Sequence, residues 1–289
     1  MIKIKTPATS ANIGPGFDCF GLALQLYNNF EAELSDSDIL ENVETRFNNA
    51  DNLFLKAYHA GCDKLGIQDH VHAVFHTEIP VSRGLGSSSS LIVAGVMAAS
   101  ILHGNALSKE DIFQISASLE GHPDNVAPCI YGGLTASATD AELFHIISLP
   151  LQESWKFTVF IPNFEVSTEK ARSILPTMYP RNEVTGNIAH AVFLLQAFAN
   201  GDNTLLHLGK KDYIHEPYRR QLLPFHKDLQ KLFEESTDGI LLISGSGSTC
   251  IGIAKKYTDD ITEKVILSRW PDMKILHLPV SRSGGYYEK

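Results

Sequence analysis

The stretch that most constrains this chain covers residues 80–90 and reads PVSRGLGSSSS. It joins an apolar, strand-like segment at residues 71–79 to a strongly helical one at residues 87–102. Gly84 and Gly86 let the backbone approach a ligand without Cβ clashes, and the start of the following helix presents unpaired N–H groups at the positive end of its dipole. The pattern therefore predicts an anion site, with phosphate as its natural ligand.

The same residues also fit an ordinary loop followed by a serine-capped helix, because glycine and serine are common in loops and serine is a favoured N-cap. No Lys-Ser or Lys-Thr pair follows a glycine at the spacing of a Walker A loop, which disfavours the ordinary P-loop nucleoside triphosphatases. A phosphate ligand would require a different nucleotide-binding fold.

Charge and cysteine content narrow the class of protein. The formal net charge of the 289 residues is −9, and no block of lysine and arginine stands out, so nucleic acid and anionic membranes are not expected partners. Cys19, Cys62, Cys129 and Cys250 lie far apart, which indicates neither a zinc site nor a disulfide framework and favours the reducing cytoplasm. The longest apolar stretch, residues 91–102, is too short to span a bilayer.

The periodicity of apolar residues predicts an α+β fold. Strands are expected at residues 2–6, at 22–34 with a break near Asn28 and Asn29, and at 71–79. Helices are expected at residues 51–65 and, after a Ser108-x-x-Asp111 capping box, at 111–120. We expect a domain boundary near residues 149–155, which divides the chain into 1–152 and 153–289.

Further strands are predicted at residues 143–149, 156–161 and 274–280, and residues 239–254 read as strand, Gly-Ser turn and strand. Helices are predicted at residues 168–175, 187–199 and 260–269. In the helix at 187–199, five apolar residues at helical spacing are expected to face the core: Ile188, Ala191, Val192, Leu195 and Phe198.

Three motifs occur in the order typical of one superfamily. The first reads PATSANIGPGFD at residues 7–18, the second is the glycine-serine stretch at 80–90, and the third reads SGSGST at 244–249. Together they resemble the GHMP kinases, the superfamily of galactokinase, homoserine, mevalonate and phosphomevalonate kinases. The segment EGHPDNVAP at residues 120–128, followed by Gly132 and Gly133, is similar to that of the homoserine kinases within it.

The resemblance implies a two-domain architecture, with a ribosomal-protein-S5-like N-terminal domain that binds ATP, a ferredoxin-like C-terminal domain, and the site between them. It implies transfer of the ATP γ-phosphoryl group to the hydroxyl of L-homoserine, in the biosynthesis of threonine, and a possible homodimer. A kinase for another small alcohol, such as mevalonate, and a non-catalytic ligand sensor on the same scaffold are the competing interpretations.

Residues for ATP and Mg²⁺ follow from the same resemblance. Ser88 and Glu120 are the expected Mg²⁺ ligands, since a hard cation prefers oxygen atoms and keeps several waters. Arg83 either covers the phosphates or faces solvent, and Asn52 either lies near the adenine or begins a helix. The expected ATP contacts are Asn52, Pro80, Val81, Ser82, Arg83, Gly84, Leu85, Gly86, Ser87, Ser88, Ser89 and Ser90.

Homoserine is a zwitterion, so a selective site should combine guanidinium groups with a carboxylate. The resemblance assigns the substrate carboxylate to Arg172 and Arg219, and the amine and hydroxyl end to Asn12 and Asp18. Gly245 belongs either to a plain hairpin turn or to the floor of the site.

The resemblance also places His122 and Asn125 at the acceptor, and these two residues with Arg172 are the expected catalytic set. Other superfamily members use an aspartate as base where this chain has Asn125, so transfer without a protein base is the hypothesis. Asp124 is expected to be a structural neighbour.

Overall fold

Residues 1–288, the part of the chain that the computed structural model describes, form an α+β fold, as predicted. The strands are β1 (Ile2–Ala11), β2 (Phe20–Ser35), β3 (Ile39–Glu41), β4 (His70–Thr77), β5 (Leu134–Asp140), β6 (Leu143–Leu149), β7 (Lys156–Ile161), β8 (Ile240–Ile243), β9 (Cys250–Ala254), β10 (Lys274–His277) and β11 (Tyr286–Glu288).

The helices are α1 (Leu53–Leu65), α2 (Ser87–Leu102), α3 (Lys109–Glu120), α4 (Val126–Tyr131), α5 (Thr168–Ser173), α6 (Arg181–Asn200), α7 (Asn203–Gly209), α8 (Glu216–Arg219), α9 (His226–Thr237) and α10 (Asp260–Arg269). Short 3₁₀ turns occupy Thr45–Phe47 and Arg220–Leu222. No helix within residues 1–288 has the length and apolar character needed to cross a membrane.

Two sheets organise these elements. In the larger sheet the strand order is β11-β1-β2-β4-β3, and β5 pairs with both β2 and β6. The β3–β4 pair is parallel, whereas the other pairs are antiparallel. The smaller sheet has the antiparallel order β10-β7-β9-β8. The predicted boundary at residue 152 lies between β6 and β7, but β11 returns to the larger sheet, and the division into 1–152 and 153–289 stays a prediction.

The predicted break at Asn28 and Asn29 is wrong, because strand β2 runs through both residues without interruption. The Asn28 side chain is fully buried; its amide donates to Ser90 Oγ at 2.9 Å, and its oxygen accepts from the N–H groups of Glu78 and Ile79. A polar residue is stable inside this strand because its hydrogen bonds are satisfied. Asn28 thereby ties β2 to both ends of the 80–90 segment.

The predicted inner face of α6 is wrong in part. Phe198 is buried, and Ala191 and Leu195 are partly buried against the same cluster, but Ile188 and Val192 are 61% and 60% exposed. The residues that enter the core instead are Leu194 and Ala197, together with Phe198. Apolar residues occur on more than one side of this helix, so helical spacing alone did not identify the side that packs.

Buried side chains connect the two sheets. One cluster packs α1, α2, α3 and α4 against the larger sheet. A second cluster joins Leu22 and Leu85 of the N-terminal half to Trp155, Phe157 and Leu194 of the C-terminal half. The motif segments therefore meet at a packed junction, which holds their relative positions.

Candidate active site

The glycine-serine segment is built around two close backbone contacts. Gly86 adopts φ +68° and is the N-cap of α2, and a Cβ at this position would lie 1.9 Å from Thr9 Oγ1. A Cβ on Gly84, at φ +76°, would lie 2.2 Å from the Ser244 carbonyl oxygen. Only glycine fits such approaches. The first turn of α2 is thereby presented at the end of a narrow loop.

The segment at residues 244–249 supports this loop. Ser244 Oγ donates to the Gly84 carbonyl oxygen at 2.6 Å, and the Thr249 N–H donates to the Arg83 carbonyl oxygen at 3.1 Å. Gly245 lines the adjoining cavity, and its carbonyl oxygen accepts from Asn12 Nδ2 and from Arg219 Nη1, both at 2.9 Å. The turn thus joins the loop to residues from both halves of the chain.

Ser88 and Glu120 meet, although 32 residues separate them in sequence. Ser88 Oγ donates to Glu120 Oε2 at 2.6 Å, and Ser89 Oγ donates to Glu120 Oε1 at 2.9 Å. The cavity is lined by Ser88 and Glu120, whereas Ser89 is buried behind them. Hydroxyl and carboxylate oxygens are the ligands that a hard cation such as Mg²⁺ prefers, so this pair fits the predicted metal role.

Arg172 and Asp18 form a bidentate ion pair. Arg172 Nη1 and Nη2 donate to the two carboxylate oxygens of Asp18 at 2.9 and 2.7 Å. The hydrogen bond from the arginine to Asp18 is the main cause of the raised pKa of Arg172. Asn12 Oδ1 accepts from the Asp18 N–H at 3.0 Å, so Asn12 holds the turn that carries the carboxylate.

Arg219 is buried, with 2% of its surface exposed. Its Nε donates to the Ala171 carbonyl oxygen at 3.2 Å, and its Nη1 contacts His215 Nδ1 at 3.4 Å. Burial, followed by the positive charge of Arg172, lowers the pKa of Arg219 to about 10, which leaves the guanidinium charged at neutral pH. Because a buried charge is stable only with partners, this cation favours an anionic ligand in the cavity.

His215 orients Arg219 and was missed by sequence reasoning. It is fully buried, its Nε2–H donates to the Gly14 carbonyl oxygen at 2.8 Å, and burial lowers its pKa, which favours the neutral imidazole. Its Nδ1 then accepts from Arg219. The Phe17 ring stacks on His215 at 5.4 Å between centroids and lies 5.1 Å from the Arg219 guanidinium carbon.

His122 and Asn125 both line the cavity. His122 Nδ1–H donates to the buried Asp124 carboxylate at 2.8 Å. Burial opposes protonation of His122, but the hydrogen bond and charge of Asp124 outweigh it, so the pKa of His122 is raised. Asn125 Oδ1 accepts from Thr9 Oγ1 at 2.7 Å, which orients the amide. Asp124 orients the His122 ring and itself lines the cavity, so its purely structural role stays a prediction.

Asn52 is the N-cap of α1: its Oδ1 accepts from the Phe54 N–H at 2.9 Å, and its Nδ2 donates to the Phe47 carbonyl oxygen at 3.0 Å. This is the helix-start role left open by the sequence, and Asn52 also lines the cavity. The Arg83 side chain is 14% exposed and lies 3.7 Å from Glu165 Oε1, so it does not point to solvent.

One cavity of about 450 Å³ collects most of these residues. The predicted residues that line it are Asn12, Asn52, Val81, Ser82, Arg83, Gly84, Gly86, Ser87, Ser88, Glu120, His122, Asn125, Arg172, Arg219 and Gly245. Five predicted residues are not part of its lining: Asp18, Pro80, Leu85, Ser89 and Ser90. Leu85 belongs to the core, Ser90 bonds Asn28, and Asp18 is reached through Arg172.

Sequence reasoning missed four further residues here: Thr9, Phe17, Glu165 and His215. Thr9 and Phe17 lie inside the first motif, so their position beside chemistry-bearing residues was the available signal. Glu165 and His215 lie outside the three motifs. Glu165 contacts Arg83, 82 positions away, and His215 contacts Gly14, 201 positions away, as well as the nearby Arg219.

Comparison with known proteins identifies the family of this chain. The protein-family model described as the GHMP kinases N terminal domain matches residues 52–133 of this chain. A homoserine kinase of Clostridium botulinum (strain Okra / Type B1) is 36% identical over 267 residues, which cover 92% of this chain and 90% of that protein. Its similarity therefore extends over both halves of the chain.

Two solved structures are also similar. The homoserine kinase of Cytophaga hutchinsonii superposes with a TM-score of 0.87 at 26% identity, over 99% of this chain and 97% of that one. The mevalonate kinase of Methanococcus jannaschii superposes with a TM-score of 0.72 at 17% identity, over 96% and 98%. The second likeness shows only the fold, so the fold by itself does not identify the acceptor.

Proposed function

Because this chain belongs to the homoserine kinase family of ATP-dependent GHMP kinases, we propose that it phosphorylates L-homoserine, giving O-phospho-L-homoserine and ADP. One observation carries the proposal beyond family membership. The glycine loop, the Ser88–Glu120 pair, Arg172 and the buried Arg219 line a single cavity. Such a cavity suits a nucleotide and a small acceptor with a carboxylate bound side by side.

The proposed acceptor site matches a zwitterion. Arg172 and Arg219 offer guanidinium groups to the substrate carboxylate, and Asp18 offers a carboxylate to the ammonium group. Arg172 and Asp18 neutralise each other through their two hydrogen bonds. A zwitterion can replace both halves of this pair, whereas mevalonate lacks the amine and would leave Asp18 without a cationic partner.

The proposed phosphate site is the loop at residues 80–90 with the first turn of α2. Its backbone N–H groups and the helix dipole favour negative charge. Arg83 adds a guanidinium group that lies 3.7 Å from Glu165 Oε1. We expect a bound phosphate to compete with the Glu165 carboxylate for this guanidinium. The adenine is assigned to the part of the cavity around Asn52 and Phe47.

We assign Mg²⁺ to Ser88 and Glu120, since their oxygens already lie within 2.6 Å of each other beside the loop. When bound, Mg²⁺ neutralises charge on the phosphates. Ser89 positions Glu120 through its second oxygen. Asp124 stays committed to His122 and is not assigned to the metal.

In the proposed reaction the acceptor hydroxyl attacks the γ-phosphorus, the bond to the ADP oxygen breaks, and the hydroxyl proton passes to the transferred phosphoryl group. Phosphoryl transfer of this kind depends mainly on positioning and charge stabilisation. His122 and Asn125 contact the acceptor hydroxyl, and Asn125, oriented by Thr9, supplies an amide rather than a base. Arg172 completes the set by fixing the acceptor.

The test is ADP release by purified protein with Mg²⁺ and ATP, measured in parallel with L-homoserine, L-serine, mevalonate and no acceptor. The proposal predicts release that depends on L-homoserine. Release only with mevalonate would keep the kinase and reject the acceptor. Binding of ATP without release for any acceptor would favour the sensor interpretation.

A cytoplasmic location and a homodimer are part of the same proposal. All four cysteines are free thiols, which suits a reducing compartment. The net charge of −9 supports the expectation that neither nucleic acid nor an anionic membrane is a partner.

A further inference from the structure

Three potential metal ligands meet on the N-terminal half of the chain. Asp38 lies in the turn after β2, His59 in the middle of α1, and His70 is the first residue of β4. Asp38 Oδ2 is 2.8 Å from His59 Nε2, and Asp38 Oδ1 is 3.2 Å from His70 Nδ1. None of the three lines the cavity described above.

The geometry suits one shared ion. One ligand atom from each residue lies within 4.8 Å of the other two. Ligand atoms around a tetrahedral ion with bonds of about 2.0–2.1 Å are separated by only slightly more than 3 Å. The spacing of the three ligand atoms is therefore close to the spacing around one shared ion.

The supports of the site are rigid on two sides. His59 belongs to a helix that packs in the core through Phe54, Ala57 and Tyr58, and His70 begins a strand in the larger sheet. The Val71 N–H donates to Asp38 Oδ1 at 3.1 Å, which holds the carboxylate against β4. Ligands on regular elements are better preorganised than ligands on loops.

Access and donor chemistry indicate the class of ion. The side chains of Asp38, His59 and His70 are 26%, 39% and 52% exposed, so solvent reaches the centre. Two imidazole nitrogens and one carboxylate oxygen favour Zn²⁺ and its neighbours in the first transition series over Mg²⁺, which prefers oxygen ligands only.

Neighbouring histidines provide a contrast. His72 lies between Glu33 and Glu41, and His103 pairs with Asp69, but each of these groups offers a single imidazole. Among residues 1–288, Asp38, His59 and His70 are the one group of three such ligands close enough to share an ion.

We propose that Asp38, His59 and His70 bind a transition-metal ion of the Zn²⁺ class, with water completing its coordination. This site is separate from the Ser88–Glu120 pair and is independent of the proposed kinase activity. A bound ion would clamp the turn after β2 to α1 and β4, so its expected effect is on the stability of this region rather than on catalysis.

The experiment is calorimetric titration of untagged, chelator-treated protein with Zn²⁺ in excess Mg²⁺, repeated with Co²⁺ while its visible absorption is recorded. We expect one ion per chain, a Co²⁺ spectrum typical of low coordination number, and a higher melting temperature with Zn²⁺. Asp38→Asn and His59→Gln should each weaken binding by about tenfold or more, since each removes or weakens one of three ligands.

His72→Gln is the matched control, because it changes a half-buried histidine that faces carboxylates on the same half of the chain. It should leave the Zn²⁺ affinity unchanged. The proposal is overturned if the wild-type protein takes up no ion in excess Mg²⁺, if Asp38→Asn and His59→Gln bind as tightly as wild type, or if His72→Gln weakens binding equally. His70→Gln replaces either ligand variant that loses the far-ultraviolet circular dichroism of the wild type.

Discussion

Arg172 and Asp18 hold each other by two parallel hydrogen bonds of 2.9 and 2.7 Å across 154 residues of sequence. The pair joins α5 to the turn of the first motif, and both side chains are 37% exposed. In the proposed reaction these two groups receive opposite ends of the same substrate. Arg172 and Asp18 are therefore a complementary charge pair that a zwitterion can replace without leaving either charge alone.

Replacement of Arg172 by alanine should raise the KM for L-homoserine by about tenfold or more, because a charge-assisted pair with the substrate carboxylate is lost. The KM for ATP should change little. Initial rates over a range of both substrates measure the two constants. Lys170→Ala removes a positive charge from the exposed side of the same helix and is the matched control. Equal effects of the two variants would contradict the assignment.

His215 is predicted to act on substrate binding through Arg219 rather than by touching the substrate. His215→Ala removes the contacts to Gly14 and Arg219, so the KM for L-homoserine should rise while the KM for ATP stays the same. His215→Gln retains a donor toward Gly14 and should restore part of the affinity. His190→Ala, which changes a histidine bonded to the Leu208 carbonyl outside the cavity, should have no effect. A parallel rise in both KM values would indicate a merely structural role.

Ser88 and Ser89 have different proposed roles: Ser88 is a Mg²⁺ ligand, and Ser89 positions Glu120. Both hydroxyls donate to Glu120, but Ser88 lines the cavity and Ser89 does not. Ser88→Ala should raise the Mg²⁺ concentration needed for half-maximal rate by about tenfold, equivalent to about 1.4 kcal/mol, and Ser89→Ala should raise it less. Initial rates measured over a range of Mg²⁺ concentrations at fixed ATP test this prediction. A larger effect from Ser89→Ala would reverse the two roles.

Gly86 and Gly104 have similar backbone angles but different surroundings. At φ +68° a Cβ on Gly86 would lie 1.9 Å from Thr9 Oγ1, whereas Gly104, at φ +80°, has nothing within 4 Å. Gly104→Ala should cost about 1–2 kcal/mol of unfolding free energy from backbone strain alone. Gly86→Ala should cost more and should abolish ATP binding, because Thr9 and Asn125 must move. Urea denaturation and nucleotide titration test both statements, and equal losses would show that the close contact is unimportant.

His226 should make the protein less stable in mild acid. Burial, followed by the charge of Arg220, lowers its pKa from 6.5 to about 4 in the folded state. Between these values the unfolded chain binds a proton that the folded chain does not, so stability is complete above pH 6.5 and falls as the pH drops toward 4. The loss attributable to this residue is about 1.4 kcal/mol per pH unit at most.

The measurement for His226 is the unfolding free energy of wild type and His226→Gln at several pH values from 4 to 7.5. The stability of the wild type relative to His226→Gln should fall steadily as the pH is lowered from 6.5 toward 4. Comparing the two proteins removes the opposite contribution of His103, whose pKa is raised. A constant difference across this range would contradict the assignment.

Much of the fold was predictable where local pattern and tertiary packing agree. The predicted limits of α2, β6, β7 and α10 match the structure, because each has an uninterrupted pattern flanked by turn or capping residues. The Ser108–Asp111 capping box is present as predicted. Elements of this kind depend little on what lies beyond them.

Other features depend on distant residues. Asn28 reads as a strand break, but partners at Ser90, Glu78 and Ile79 satisfy its side chain inside β2. Similarly, the position of Val192 on α6 fits a core residue, yet the packed side of that helix is set by neighbours around Leu194. A single sequence does not reveal these partners.

The site residues also fall into those predictable from local sequence and those that depend on distant contacts. Ser88 and Glu120 were identified because they lie within the quoted motif segments, and the family resemblance identified Arg172. His215 and Glu165 have no such segment, and their roles follow only from contacts with Gly14, Arg219 and Arg83.

The central claim is that the γ-phosphoryl group is transferred to the hydroxyl of L-homoserine. The most direct measurement is ³¹P nuclear magnetic resonance of the reaction mixture of protein, Mg²⁺, ATP and L-homoserine labelled with ¹⁸O at the hydroxyl. The account predicts a phosphomonoester signal displaced by ¹⁸O bonded to phosphorus, in amounts equal to the ADP formed. Inorganic phosphate as the only new phosphorus species, or an unchanged ATP spectrum, would contradict it.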